Sequence, residues 1–387
     1  MSDKNYFNLI DFGSSKIRFS VYDINFDEIY ADSKSILYQE DYKNHFNFVI
    51  ESVKKAEKKI SYHIKDIILL LDSSNVFTID IALRKRLNKK SEINKVYDSI
   101  ILELNQLIDK YYDTYGIAHT ILDRCFIDNK IFEKLPKNKI VKSDIKIEFK
   151  VICLPKKLIS NLENKFNKKN LNILNIFCTS YLKSLSYNLK LDQNKVSFLE
   201  IGWERTSLIL YENNKLNFIK SIPIGSNHIT KDISKVFNIN IEESEKLKKS
   251  FNKSENEFSY ATDESEGLIL ANDIFKNNTS VNLLKKVILY RVQEIMDLIF
   301  MKSNEKININ KFIDTDLFLI GEGSELFNDN SFHLEDKFSF KSINFYKEKD
   351  SQICKNGLVY YLNYYNEPKI IAKKHGLFEK FFNFFSN

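Results

Sequence analysis

The run Asn8-Leu9-Ile10-Asp11-Phe12-Gly13-Ser14-Ser15-Lys16, continued by Ile17-Arg18-Phe19-Ser20-Val21-Tyr22, sets the reading of the whole chain. An apolar strand ends in an acid, a Gly and two hydroxyl residues make a tight turn, and an alternating strand leads away. That is a β-hairpin whose tip presents backbone N–H groups, two hydroxyls and a lysine. Such a tip suits the terminal phosphates of a nucleotide, with Asp11 beside it to hold a metal's water shell. Hairpins with Gly turns are common, and what gives this one weight is its repetition. Val196-Ser197-Phe198-Leu199-Glu200-Ile201-Gly202, a turn, and a strand over 206–211 repeat the order apolar strand, acid, apolar, Gly, turn, strand. A duplicated phosphate-cradling hairpin is far more specific than either copy alone.

The 387 residues are enough for two or more domains, and 43% hydrophobic with 28% charged residues describes a folded chain, not a disordered one. The net charge of +6, from 58 basic against 52 acidic residues, leaves a weak global field. The densest basic run, Arg84-Lys85-Arg86-Leu87-Asn88-Lys89-Lys90, has no stacking aromatics and reads as a solvated loop, so no nucleic-acid partner is expected. Cys125, Cys153, Cys178 and Cys354 lack C-x-x-C spacing and read as reduced core residues. The N-terminus does not read as a signal peptide, and no apolar run approaches the ~20 residues of a membrane span.

From the first hairpin outward, a third strand is expected over 29–39 and a helix over 44–63, with Phe48, Val49, Val53, Ala56 and Ile60 at helical spacing. Asp66-Ile67-Ile68-Leu69-Leu70-Leu71-Asp72 reads as a strand buried on both faces. The pattern then changes. A strand near 76–83, a helix over 91–111 and strands near 121–128 and 145–154 predict a compact α+β insertion. The α/β theme resumes with helix 155–168, strand 171–177 and helix 179–189, and the polar stretch 191–194 is the expected main boundary. After the second hairpin come a strand through Ile222, helices over 229–237 and 241–249, a polar excursion over 250–283, and an amphipathic helix over 284–301. Asp316-Leu317-Phe318-Leu319-Ile320 is a buried strand, and Gly321-Glu322-Gly323-Ser324 opens a helix there, a natural though unspecific anion or ribose site.

Two such hairpins and a late strand–Gly-x-Gly–helix resemble the actin-like ATPase superfamily, and in detail the chain resembles the bacterial cell-division family FtsA. Asp11-Phe12-Gly13-Ser14-Ser15-Lys16 is similar to that family's first phosphate motif. Ile222-Pro223-Ile224-Gly225-Ser226-Asn227-His228-Ile229-Thr230-Lys231-Asp232-Ile233 resembles its Pro-x-Gly-Gly segment, with Ser226 at the second Gly. Glu245-Lys246-Leu247-Lys248 resembles the helix lining ribose and base, and Phe318-Leu319-Ile320-Gly321-Glu322-Gly323-Ser324 the adenosine motif. The resemblance implies an α/β, actin-like two-lobed fold of duplicated ribonuclease H-like domains, with an inserted subdomain 1C. It divides the chain into 1A (1–72 and 155–194), 1C (73–154), 2A (195–231 and 311–349), 2B (232–310), a closing helix of 1A (350–366), a linker (367–375) and a terminal amphipathic helix (376–387).

The same resemblance assigns roles. Asp11, Gly13, Ser14, Ser15 and Lys16 would meet phosphate and Mg²⁺, the ion held by Asp11 through water. Glu200, Gly202 and Thr206 would stand at the second phosphate motif, and Gly225, Glu245, Lys248, Gly321, Gly323 and Ser324 near the nucleoside of ATP. Departures are concentrated in the second turn, where Trp203 and Glu204 replace family glycines, and Glu322 replaces another in the adenosine motif. Side chains there hinder close backbone approach, and Glu204 repels phosphate unless Arg205 offsets it. Weakened nucleotide binding and weak ATPase activity are implied.

The C-terminus carries its own signal. At 100° per residue, Leu377, Phe378, Phe381, Phe382, Phe384 and Phe385 fall on one arc, with Glu379, Lys380, Asn383, Ser386 and Asn387 opposite. A helix of that length is about 17 Å long at ~1.5 Å per residue, too short to span a bilayer, and is expected to lie in the interface. The family resemblance implies a peripheral protein on the cytoplasmic face of the inner membrane at the division site. It would self-associate into filaments, bind an anionic membrane surface and the FtsZ C-terminal tail, and recruit later divisome proteins through subdomain 1C. Arg291, in Val287-Ile288-Leu289-Tyr290-Arg291, is the expected partner of the FtsZ tail. A PilM-type pilus-assembly homologue, an actin-like small-molecule kinase and a nucleotide-free scaffold are the alternatives.

Overall fold

The computed structural model describes residues 6–35, 42–136, 139–191, 193–251, 281–300, 315–327, 340–346 and 350–364. Its frame is one kind of five-stranded sheet built twice. In the first, β1 (Phe7–Phe12), β2 (Lys16–Tyr22) and β3 (Glu28–Ser35) form an antiparallel meander. β4 (Asp66–Leu71) and β11 (Asn172–Cys178) extend it in parallel beyond β1. In the second, β12 (Lys195–Ile201), β13 (Thr206–Glu212) and β14 (Lys215–Ile222) repeat the meander, and β15 (Asp316–Ile320) and β16 (Ser342–Phe345) repeat the parallel pair. The duplication seen in two hairpins therefore extends to whole sheets. Register makes it residue-specific: Phe12 pairs with Ile17 and Ile201 with Thr206, leaving residues 13–16 and 202–205 as equivalent turns. Asp11 thus corresponds to Glu200, and Lys16 to Arg205.

Strand alternation decides which core each residue joins. Leu199, Ile201, Leu208, Leu317 and Leu319 face α5 (Ser226–Phe237), α6 (Ile241–Phe251) and α7 (Val281–Phe300), sharing a core with Ile229, Ile233, Leu247 and Ile288. The intervening residues Val196, Phe198, Ile209, Tyr211 and Phe318 face the other way, into the first lobe's core. There α4 (Thr179–Asn188) and α8 (Asp350–Tyr364) supply the filling between the sheets. A Cβ on Gly357 would come 2.8 Å from a Leu70 methyl, so α8 can lie this close to the first sheet only with glycine there. α1 (Tyr42–Ile60) and α3 (Lys156–Asn167) pack together over the first sheet through Phe46 and Phe166, ring centroids 4.9 Å apart.

Between β4 and α3 the chain builds a separate unit: β5 (Phe77–Arg86), β6 (Ser91–Glu92), α2 (Ile93–Tyr111), β7 (Tyr115–Ile127), β8 (Lys130–Phe132), β9 (Ile140–Val141) and β10 (Asp144–Pro155). Its four-stranded sheet runs β5-β10-β7-β8. Ile145, Ile147, Phe149 and Val151 alternate inward from β10 and meet Ile93, Val96, Ile100, Leu104 and Ile108 of α2 in a core of their own. Two expectations change here. Ser91 and Glu92 pair with Val141 and Ile140 as a strand before the helix begins. Arg84, Lys85 and Arg86, read as a loop, lie in β5 opposite β10. The polar excursion, apart from its ends, and the terminal helix lie outside the described residues. Among the described residues no helix is long and apolar enough to cross a membrane.

Candidate functional site

The C-terminal ends of β1, β4 and β12 converge where the two sheets meet, each delivering a carboxyl group. Asp11 and Glu200 are 2% exposed, and the Asp72 side chain, one residue past β4, is 3% exposed. Three carboxyl groups so deep need partners. Arg18, cross-strand neighbour of Asp11, places a guanidinium nitrogen 2.8 Å from its Oδ2. Arg205 in the second turn bonds Asp72 and stands 3.6 Å from Glu200 Oε2. Lys183 of α4 reaches Glu200 Oε1 at 3.1 Å. Asp72 also accepts the Ser180 N–H and hydroxyl at 3.1 and 3.0 Å, at the start of α4. Burial pushes the Asp11 carboxyl up, against the pull of Arg18 and Lys183. Burial opposes the charge of Arg205, yet Asp72 and Glu200 outweigh it and its pKa rises.

Around this cluster stand the residues the sequence singled out. Gly13 is required by its turn: a Cβ there would lie 2.6 Å from the Lys16 carbonyl oxygen. Ser14, Ser15 and Lys16 are partly exposed at the tip. The second turn is sealed from its own side. Gly202 N–H donates to the Arg205 carbonyl at 2.9 Å, while Ser226 N–H donates to Gly202 and Asn227 N–H to Trp203, at 2.9 and 2.8 Å. The first N–H groups of α5, ordinarily open to an anion, are spent on the protein. Gly225 sits so close that a Cβ would lie 2.5 Å from the Gly202 oxygen. The Thr206 hydroxyl donates to the Ile224 carbonyl at 2.8 Å and is fully buried.

Glu245 and Lys248 pair with each other at 2.5 Å, and Thr230 donates to Glu245 at 2.6 Å. The Lys248 ammonium also bonds the Ser226 carbonyl at 3.1 Å and lies 5.0 Å from the Trp203 ring centroid. Burial lowers the Lys248 pKa, with Glu245 opposing. Gly321 adopts φ 89°, and a Cβ on Gly323 would collide with Ile201, so the adenosine-motif turn lies directly on the end of β12. The turn leads into a 3-10 helix, Glu322–Phe327, whose Ser324 hydroxyl returns to the Gly321 carbonyl at 2.6 Å.

A divalent ion such as Mg²⁺ needs carboxylate oxygens able to take the ion or its waters. Here Asp11, Asp72 and Glu200 are each engaged by a cation of the chain itself. This donor set does not fit a metal ion, and the expected role of Asp11 as holder of a Mg²⁺ water shell does not suit its pairing with Arg18.

Comparison with known proteins agrees with the fold and narrows it. The family "Cell division protein FtsA" matches residues 198–282, the heart of the second lobe. The cell division protein FtsA of Helicobacter pylori is 26% identical over 176 residues, 45% of this chain and 32% of that protein. FtsA of Staphylococcus epidermidis is 22% identical over 258 residues, 64% of this chain and 54% of that protein. The matched regions thus span at most about half the length of these curated relatives. MreB 5 of Spiroplasma citri, solved bound to AMPPNP, superposes with a TM-score of 0.50 at 9% identity, over 93% of this chain and 97% of that one. The chain is an FtsA-like protein with an actin-like fold.

In this FtsA-like chain Arg291 lies on α7. It is not an unengaged surface cation: its guanidinium bonds Asp232 of α5 at 2.5 and 2.8 Å and Glu294 at 2.6 Å. With Val236, Val287 and Tyr290 these residues line a surface groove between α5 and α7. Leu377, Phe378, Phe381, Phe382, Phe384 and Phe385 lie outside the described residues. The sequence reading missed Arg18, Asp72 and Lys183. Arg18 could have been found as a charged residue in the interior of β2, whose other interior positions are apolar or small. Asp72 closes an apolar strand as Asp11 nearly does, and carries the same signal. Arg205, on which any offset of Glu204 depends, turns to Asp72 and Glu200, and Glu204 is exposed.

Proposed function

We propose that this chain is an actin-like cell-division protein that polymerises on the inner face of the cytoplasmic membrane and tethers FtsZ to it. The reading rests on the FtsA family match, which lies on the second lobe from β12 through α6. The FtsZ C-terminal tail would seat in the groove between α5 and α7, against Tyr290 and Val236 and beside Arg291, whose fork would exchange Asp232 or Glu294 for an acid of the tail. The unit over 77–155 would act as subdomain 1C, the contact for later divisome proteins. Leu377, Phe378, Phe381, Phe382, Phe384 and Phe385 would anchor the chain in the membrane interface. Burying one such Phe is worth about 1.5–3 kcal/mol at most, so a single tail is a modest anchor. Tails repeated along a filament add by avidity, coupling membrane residence to self-association. An adenine nucleotide would bind the cleft between turn 13–16 and the turn at Gly321, a reading supported by nucleotide-bound MreB 5. Co-sedimentation with anionic vesicles tests the anchor. Phe382→Glu should leave most of the protein in the supernatant, and unchanged pelleting would sink it.

A further inference from the structure

The ion pairs of the cleft run mainly between the lobes. Arg205 belongs to the second lobe's turn, and its partner Asp72 to the end of β4 in the first. Lys183, on α4 of the first lobe, reaches in the opposite sense to Glu200 on β12 of the second, at 3.1 Å. Arg18 holds Asp11 at 2.8 Å within the first lobe and stands 3.6 Å from Glu322 across the cleft. Among the described residues, Arg18, Lys183 and Arg205 stand one for one against Asp11, Asp72 and Glu200. In a cleft where those acids faced one another without cations, bringing the lobes together would be opposed by like charge in a low dielectric. A bound divalent ion is one way to remove that opposition. This chain removes it with side chains.

The duplication shows how the arrangement is built. Lys16 and Arg205 hold equivalent turn positions, and Arg205 crosses to the opposite lobe's acid, drawn there by Asp72 and Glu200 together. The turn that carries it is fixed by Gly225 and by the first N–H groups of α5. We propose that Arg18, Lys183 and Arg205 take the place of a metal ion, so that the two lobes are held closed without Mg²⁺ or Mg²⁺–nucleotide. The proposal rests on the two-lobed fold and its ion pairs, not on the division reading.

The distance between the lobes tests it in the full-length chain. Tyr62 of the first lobe and Val236 of the second are 47% and 48% exposed, whereas the native cysteines are buried, so Tyr62→Cys/Val236→Cys can be spin-labelled selectively. In excess EDTA without nucleotide, electron–electron double resonance should give one narrow distance population. Adding Mg²⁺, ATP or both should leave it in place. A broad or double population in EDTA that narrows only with Mg²⁺–ATP would overturn the proposal. Arg205→Gln in the labelled chain should broaden the distribution in EDTA and recover on adding Mg²⁺, because Asp72 is then open to an ion. A closed Arg205→Gln in EDTA would also overturn it. Should that variant not fold, Lys183→Gln, which removes the partner that Glu200 has on the first lobe, is read the same way. Absence of any ATP binding counts against the nucleotide reading above and leaves the closure measurement standing.

Discussion

His119 shows how a residue chosen for no chemistry can still govern behaviour. It sits on β7 with no exposed surface, its Nε2 accepting the Cys178 N–H at 2.8 Å. Its ring stacks on Phe177 at 5.3 Å and meets Tyr181 and Tyr360 edge-on at 4.8 and 5.0 Å. Burial lowers its pKa from 6.5 to about 3, so it is neutral in the folded chain at any ordinary pH. The unfolded chain takes up the proton first as pH falls, so stability is full above the unfolded pKa and drains away between about 6.5 and 3. At pH 5 the loss from this group is about 2 kcal/mol. His119→Gln keeps an acceptor for Cys178 and removes the titration. Urea melts at pH 7 and pH 5 should show a pH penalty smaller by roughly that amount, at the expense of lower stability at pH 7. An identical penalty in both proteins would mean another group is responsible. Gly323 is the sharper steric case: a Cβ would lie 2.7 Å from the Ile201 side chain and 2.8 Å from its carbonyl oxygen. Gly323→Ala should cost about 1–3 kcal/mol, and a neutral melt would mean the turn can move off β12.

At the scale of elements, the parts that repeat were readable and the parts that pair were not. The stripes of α1 and α2 and the alternation of β10 follow from burial on one face, and burial on one face is what periodicity reports. The two hairpins announced the doubled sheet because both copies keep an acid, a Gly and a four-position turn in step. Partnership is different. Arg205 meets Asp72 across 133 positions, and no local spacing says which cation will reach which acid. The sequence reading therefore placed Gly202 and Thr206 at a phosphate, whereas their polar groups are committed to Arg205 and Ile224. Arg291 illustrates the same blindness between helices: its fork closes on Asp232, joining α7 to α5. Both side chains remain about a quarter exposed, 24% and 25%, so solvent screens the pair. Arg291→Ala should cost no more than about 1 kcal/mol in a denaturant melt. A several-fold larger loss would make this residue a strut of the lobe first and a binding residue second.

At the scale of the molecule, the three cores are joined in two different ways, and that difference predicts how the chain comes apart. The lobes share one apolar interior, since Phe198, Tyr211 and Phe318 of the second sheet belong to the same core as Leu9, Leu70 and Phe177 of the first. Apolar interiors of that kind melt cooperatively. The unit over 77–155 has its own core and meets the second lobe through polar ties. Lys150 Nζ donates to the Asn217 carbonyl at 2.6 Å, and Lys215 Nζ to the Asp123 carbonyl at 2.8 Å, beside its carboxylate at 3.0 Å. Ala118, Ile152 and Leu154, which enter the first lobe's core, His119 against Phe177, and the continuity of β10 into α3 hold it to the first lobe. Elements whose contacts to a neighbouring lobe are small and polar open at lower free energy than the global transition. Lys150→Met with Lys215→Ala should therefore raise hydrogen exchange along β5 and β7, while amides of β1, β4 and β12 keep their protection. If protection fell equally in all three cores, the inserted unit would be part of one cooperative body, and its ties to the second lobe would carry structural weight that two lysine contacts do not explain.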